Sequence, residues 1–312
     1  MKRIERISVV GLGALGMVFG RYLQDDPSCK VSFLMDPERY EKHSKEVYYV
    51  NGSEYRFNLV HEDEAEPSDL VIVSVKYTGL QRALDTMKKA VGPDTIIVSL
   101  LNGIDSEEII SERYPGNPVI YSIAQGMDAM RFGTELNFTK HGNVYIGIPA
   151  DEAASSPVFC DHEAFDSLTE LFDRTGFPYV KDDDILHRLW SKFMMNVGCN
   201  QVCMVYGTGY GGCIVPASEE KMAMVAAMRE TIAVAAAEGI SLTEDDIHFY
   251  LDLIAGLDKD SSPSMAQDRM SGRKSEVEMF SGIIIKLGRK HNIEVPVNEY
   301  LYRRVHEIEA QY

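Results

Sequence analysis

Apolar residues follow two different rhythms along this chain, and the change falls near residue 185. Before it, short and mostly apolar runs at 7–10, 30–35, 70–75, 95–101 and 119–122 are separated by stretches of helical periodicity. Continuous runs of this length suit strands buried on both faces of a parallel sheet, and strands alternating with helices predict an α/β fold. Further strands are predicted at 137–141 and 143–148, the pair forming a hairpin around Gly142, and at 178–180, with a helix over 165–172. Residues 48–57 hold Asn51-Gly52 between alternating runs, which predicts a hairpin added to that fold. The acidic segment 62–66 reads as a solvated loop, and 150–157, rich in Ala, Ser and acids, as a surface connection. Beyond residue 185 only helical patterns remain: 189–200, 221–238 stopped by Gly239, a helix through Leu253 opened by a Ser241/Glu244 capping box, 275–287 closed near Asn292, and 298–310 after Pro296. Residues 261–268 read as a polar break, and Gly207-Thr208-Gly209-Tyr210-Gly211-Gly212, which follows a helix rather than a strand, as an interhelical loop. The prediction is an α/β domain over residues 1–184 followed by an all-α domain over 185–312.

Two stretches carry candidate chemistry. The first, 189–200, holds the only tryptophan, Trp190, and sets Lys192, Asn196 and Asn200 four residues apart. Four residues turn a helix by about 400°, so the three polar groups drift only about 40° per step and share one face. Phe193, Met194, Met195 and Val197 make most of the remainder apolar. On a buried helix a lysine and two amides cost several kcal/mol unless something meets them, either neighbouring backbone and the lysine's own reach to water, or a ligand. The second stretch is Gly11-Leu12-Gly13-Ala14-Leu15-Gly16, placed between the first strand and a helix. In that context the first glycine permits a tight turn, the second lets backbone approach a pyrophosphate, and the third lets helix and strand pack, with helix N–H groups aimed at the phosphates. Asp36 follows the second strand at the distance where a carboxylate accepts hydrogen bonds from an adenosine ribose. Lys76 and Asn102 end two further strands, and ligands of open α/β sheets bind beyond strand carboxyl ends.

Composition narrows the partners. Acidic residues outnumber basic ones 48 to 31, for a formal charge of -17, and no block of Lys and Arg stands out, which argues against nucleic acid and anionic membranes. No stretch is apolar for long enough to span a bilayer. Lys2, Arg3 and Arg6 before an apolar run imitate a signal peptide, but no small-residue cleavage site precedes Asp25 and Asp26, so the run is read as mature protein. Five cysteines without paired spacing suggest free thiols in a reducing, cytoplasmic setting. Cys199, Cys203 and Cys213 lie close in sequence, yet zinc sites use tighter pairs, so no metal is expected.

Taken together, Gly11-x-Gly13-Ala14-Leu15-Gly16, Val75-Lys76, Asn102-Gly103, Leu189-Trp190-x-Lys192 with Asn196 and Asn200, Ser264-Met265-x-Gln267-Asp268, and Glu276 ahead of Gly282 resemble the ketopantoate reductase family over nearly the whole chain. The resemblance implies a Rossmann dinucleotide-binding domain followed by a helical domain of the 6-phosphogluconate-dehydrogenase type. It implies an NAD(P)H-dependent oxidoreductase of pantothenate biosynthesis that reduces 2-dehydropantoate, compatible with a homodimer. Lys192 would protonate the carbonyl oxygen, and Glu276 would orient that lysine or hold a substrate hydroxyl. Asn196, Asn200 and Ser264 would bind substrate. Asn102 and Lys76 would contact the cofactor near the reacting centre, which puts Asn102 close to the substrate too. The chain departs from the family pattern at four positions: Asp36 stands where NADPH users commonly carry arginine, Gln201 where proline is frequent, and Ser261 and Ser281 where asparagine is usual. A carboxylate at 36 favours NADH while family resemblance favours NADPH, which Arg39 would help to bind. The alternatives are a dehydrogenase of another 2-oxo or 3-hydroxy acid, or a nucleotide sensor without turnover.

Overall fold

The computed structural model describes residues 3–149 and 158–312, so the surface connection expected at 150–157 lies outside the described residues. The chain divides into two compact units, Met1–Ile185 and Leu186–Tyr312.

In the first unit the apolar runs become strands: β1 (Arg6–Val10), β2 (Lys30–Met35), β3 (Tyr48–Val50), β4 (Ser53–Tyr55), β5 (Leu59–His61), β6 (Ser68–Val73), β7 (Val91–Ser99), β8 (Val119–Met127), β9 (Met130–Phe132), β10 (Glu135–Asn137), β11 (His141–Gly147) and β12 (Tyr179–Lys181). Eight of them form one sheet in the order β12-β11-β8-β7-β6-β1-β2-β5. Neighbours from β5 to β8 are parallel, while β11 runs antiparallel to β8. This is the doubly wound dinucleotide-binding order, reversing direction between β1 and β6. Val9, Leu70, Val71 and Val73 are fully buried there, which is why these strands read as unbroken apolar runs. Helices Ala14–Gln24 and His162–Thr175 cover the sheet with Met17, Val18, Phe19, Leu168, Leu171 and Phe172.

The Asn51-Gly52 hairpin forms as expected, with both residues in the left-handed region at φ 48° and 79°. It does not stand alone, because β3 pairs with β10 to build a second sheet, β4-β3-β10-β9. The hairpin expected around Gly142 is corrected: β10 pairs with β9, and β11 pairs with β8. Residues 139 and 140 turn because the Asp128 carboxylate accepts both of their backbone N–H groups at 2.8 Å. The acidic segment also differs from a free loop. Glu62–Glu64 form a 3₁₀ turn whose carboxylates meet Arg82 and Lys89.

The second unit is helical. The 189–200 stretch is not one regular helix: Ile185–Met195 is α-helical, Asn196–Asn200 adopts π geometry, and Gln201–Tyr206 resumes the α form. Gly198 lets this π segment press against helix Glu219–Ala237, where an added Cβ would sit 2.8 Å from Met228 Cγ. A second π segment, Glu278–Gly282, leads into helix Ile283–His291. Three sequence expectations shift. The capping box is Thr243 with Asp246, since Glu244 is drawn into a pair with Arg229. The polar break contains helix Ser264–Met270 beginning at Ser264, and the glycine-rich loop contains a short helix, Tyr210–Ile214. Among the described residues no helix is long and apolar enough to cross a membrane.

Candidate active site

The glycine loop leaves β1 with Gly11 at φ +115°, where a Cβ would lie 2.4 Å from the Ser74 carbonyl, and Gly16 packs so tightly that a Cβ would meet the Gly11 carbonyl at 2.0 Å. Packing therefore demands glycine at 11 and 16. It does not demand it at 13, where an added Cβ meets nothing nearer than 3.7 Å. Gly13 is the N-cap of helix Ala14–Gln24, which has no side-chain cap and no acid in its first turn. The N–H groups of Ala14, Leu15 and Gly16 thus begin a helix whose positive end is left to an anion, and the open face at Gly13 fits a pyrophosphate.

The other expected nucleotide residues lie at the same carboxyl edge. Asp36 directly follows β2, exposed Lys76 follows β6, and half-buried Asn102 follows β7, beside Gly103 at φ +99°. Asp36 is more engaged than a ribose-reading carboxylate alone would be. It caps helix Pro37–His43 by accepting the Arg39 N–H at 2.9 Å, and its Oδ2 lies 3.6 Å from Arg39 Nε and 3.7 Å from Arg82 Nε. Arg82 escaped the sequence reading because it stands on a helix after β6, with no motif around it. Arg131 escaped it too: from β9 it donates to the Leu12 carbonyl inside the glycine loop and stacks over Tyr48 at 5.8 Å. The second sheet thereby touches the nucleotide loop.

In the second unit the π segment gathers the amides. Asn200 Nδ2 lies 3.5 Å from Asn196 Oδ1 and 3.3 Å from Ser264 Oγ, with both asparagines buried and Ser264 exposed. Sequence spacing aligns the two asparagines and the family resemblance names Ser264; the fold brings Ser264 within reach of Asn200. Lys192 sits one turn earlier, half-buried in side-chain exposure, and burial pushes its ammonium down to about 8. Desolvation penalises the charged form, leaving an ammonium that is still protonated at neutral pH but gives up its proton more readily than an exposed lysine. Glu276 stands half-buried just ahead of the second π segment, and that segment's Phe280 packs on Phe193 of the Lys192 helix at 6.3 Å. Three of the four family departures are engaged inside this unit. Gln201 Nε2 donates to the Val197 carbonyl, Ser281 Oγ to Asn298, and Ser261 Oγ to Asp258.

A lysine of lowered pKa on the same helix face as two amides, one of which meets a hydroxyl, suits proton donation to an oxygen-rich substrate. The 2-dehydropantoate 2-reductase of Streptococcus pyogenes is 25% identical over 311 residues, covering 97% of this chain and 98% of that one. Among solved structures, a PanE/ApbA family ketopantoate reductase from Ralstonia eutropha superposes with a TM-score of 0.79 at 24% identity, over 98% of this chain and 99% of that one. A D-mandelate dehydrogenase solved with NADH and anilino(oxo)acetate superposes with a TM-score of 0.83 at 23% identity and the same coverage. The family model "Ketopantoate reductase PanE/ApbA" matches residues 7–151 and its companion "Ketopantoate reductase PanE/ApbA C terminal" matches 184–309. With both models matched in order over most of its length, the chain belongs to the ketopantoate reductase family.

Proposed function

We propose that this protein reduces a 2-oxo acid, 2-dehydropantoate to pantoate, with a reduced nicotinamide dinucleotide as hydride donor and Lys192 as the acid. The observation that carries the reading is the grouping of Asn196, Asn200 and Ser264, the asparagines one and two helical turns beyond a lysine whose pKa burial lowers to about 8. The bound nicotinamide supplies the hydride to the carbonyl carbon. Lys192 gives its proton to the carbonyl oxygen as negative charge develops there, and until then its positive charge stabilises that oxygen. Asn196, Asn200 and Ser264 hold the carboxylate and hydroxyl groups of the substrate, and Glu276 orients the lysine or a substrate hydroxyl. Gly11 through Gly16 receive the pyrophosphate, while Lys76 and Asn102 hold the cofactor near the carbon that reacts. The five free thiols support a reducing cytoplasm as the setting.

The cofactor reading is NADH ahead of NADPH. Asp36 offers a carboxylate to ribose hydroxyls, and a 2′-phosphate would meet its negative charge. Arg39 and Arg82 lie close enough to that carboxylate to offset part of the repulsion, so NADPH is accepted at a disadvantage. A second reading, another 2-oxo acid, is favoured by Ser261: where the family usually has asparagine, its hydroxyl is bonded to Asp258 at 3.3 Å.

One experiment addresses all of this: initial rates of reduced-nicotinamide consumption with ketopantoate and with an aryl 2-oxo acid, each run with NADH and NADPH. Faster ketopantoate turnover with NADH supports the reading in full. Preference for the aryl acid moves the substrate, and preference for NADPH removes the role given to Asp36. Nucleotide binding without turnover on either acid overturns the enzyme reading.

A further inference from the structure

The second unit carries a cluster of nucleophilic side chains that the proposed reduction does not use. Cys199 lies in the first π segment, Cys203 one turn later in Gln201–Tyr206, and Cys213 in the short helix Tyr210–Ile214. Gly207, left-handed at φ +67°, reverses the chain between them, so three cysteines without paired spacing converge. Cys203 Sγ lies 3.3 Å from Cys213 Sγ and 4.0 Å from Cys199 Sγ, and all three sulfurs fall within 4.8 Å of one another. Each residue is fully buried, and all are free thiols.

We propose that Cys199, Cys203 and Cys213 form a three-sulfur site for a soft, thiophilic cation. With metal–sulfur bonds of about 2.3 Å, three ligands at angles of about 95° to 120° give sulfur–sulfur edges of about 3.4 to 4.0 Å. The observed 4.0 Å edge falls within that range, the 3.3 Å edge just below it, and the third is no longer than 4.8 Å. Among the described residues no histidine, carboxylate or fourth cysteine joins the group. Structural zinc takes four ligands and hard cations take oxygen, so the donor set selects a soft ion content with three sulfurs. Burial adds a charge criterion, because three thiolates around a trivalent centre are neutral, whereas a monovalent ion would leave excess negative charge in the core. A surface cavity adjoins the site: Gly209, whose carbonyl lies 3.6 Å from Cys203 Sγ, lines it with Thr208, Gly211, Gly212 and Lys259.

Arsenite is the probe that meets all these criteria. As(OH)₃ and three thiols give one As(S)₃ unit and three waters, with no electron transferred. The full reduced chain is titrated with arsenite under argon, bound arsenic is counted after desalting, and thiols are counted after unfolding. The expected result is one arsenic per chain, with titratable thiols falling from five to two. Cys203→Ser and Cys213→Ser are each expected to weaken binding by more than 100-fold, and Cys29→Ser with Cys160→Ser to leave it unchanged. Melting curves of each variant separate lost affinity from lost folding. No uptake, equal uptake by folded Cys213→Ser, or a Cys203–Cys213 disulfide in place of the free thiols overturns the site. Resting on the proposed reduction, a second readout follows from Cys199 and Asn200 sharing one π segment: loading raises the KM for the oxo acid. If no oxo acid turns over, the arsenic count still decides the site.

Discussion

The Nδ2 of Asn200 lies 3.3 Å from the Oγ of Ser264, joining the first π segment to the start of a helix 64 positions further along the chain. Asn200 is buried and Ser264 is exposed, so the pair reaches from the interior towards an open face of the second unit. If they hold the oxo acid, Ser264→Ala removes one hydrogen bond worth about 1 kcal/mol and raises the KM for that acid roughly five- to tenfold. Asn200→Ala removes a buried donor as well and should raise it further. Initial-rate measurements should find the KM for NADH unchanged in Ser264→Ala; a parallel rise for both substrates would assign the residue to folding instead.

Lys192 sets the pH behaviour. Burial lowers its pKa from 10.5 to about 8, so the ammonium needed for proton donation is present at neutral pH and lost as pH rises through about 8. The rate of reduction should therefore be flat below that pH and fall about tenfold per pH unit above it. Lys192→Ala should lower turnover by on the order of 10²- to 10⁴-fold while nucleotide binding stays intact. Stability moves the other way. A lysine whose folded pKa lies below its unfolded value destabilises the fold while it is charged in both states, below about pH 8, and that penalty fades between there and 10.5. Lys192→Met should then be more stable than the parent at pH 7, by up to about 3 kcal/mol, with the gap closing at higher pH in denaturant titrations.

Much of this could be read from residue order because the relevant signals are local. Val9 to Val10, Leu70 to Val73 and Ile96 to Val98 are buried on both faces, so their strands announce themselves as apolar runs. The glycine loop and the Lys192, Asn196, Asn200 stripe are legible for the same reason, each being a fixed spacing within one element. What escaped depends on distant partners. The π register at Asn196–Asn200 accompanies the press of Gly198 against Met228, and the pairing of β3 with β10 joins segments far apart in the chain. Arg82 beside Asp36 and Arg131 on the glycine loop are likewise contacts between elements, for which one sequence carries no periodic signal.

Cofactor choice turns on one such contact. Arg82 divides its guanidinium between Glu62, at 2.8 Å, and the flank of Asp36, at 3.7 Å. Removing it leaves the Asp36 carboxylate with Arg39 alone and increases repulsion of a 2′-phosphate. Arg82→Ala should sharpen the preference for NADH several-fold, whereas Asp36→Arg should reverse it. The ratio of kcat/KM for NADH and NADPH in the two variants checks both, and a ratio unmoved in Asp36→Arg would remove this carboxylate from ribose reading.

A buried acid of the first unit, Glu107, holds a strand end. Glu107 opens helix Ser106–Arg113, is 2% exposed, and accepts from Ser106 Oγ at 2.8 Å. The Ser106 and Ser99 hydroxyls lie 2.8 Å apart, and Ser99 Oγ in turn accepts the N–H of Leu101, next to Asn102. Burial pushes the Glu107 carboxyl up to about 7, against hydrogen bonds that lower it. Because the folded state then holds a proton that the unfolded state has released, stability is lost as pH rises from about 4.5 to 7 and stays lost above it. Glu107→Gln keeps the acceptor for Ser106 and cannot ionise. Its unfolding free energy relative to the parent should rise across that window by on the order of 3 kcal/mol and level off above pH 7. Two parallel stability curves, with no change in their separation between pH 4.5 and 7, would mean that Glu107 ionises as readily in the fold as out of it.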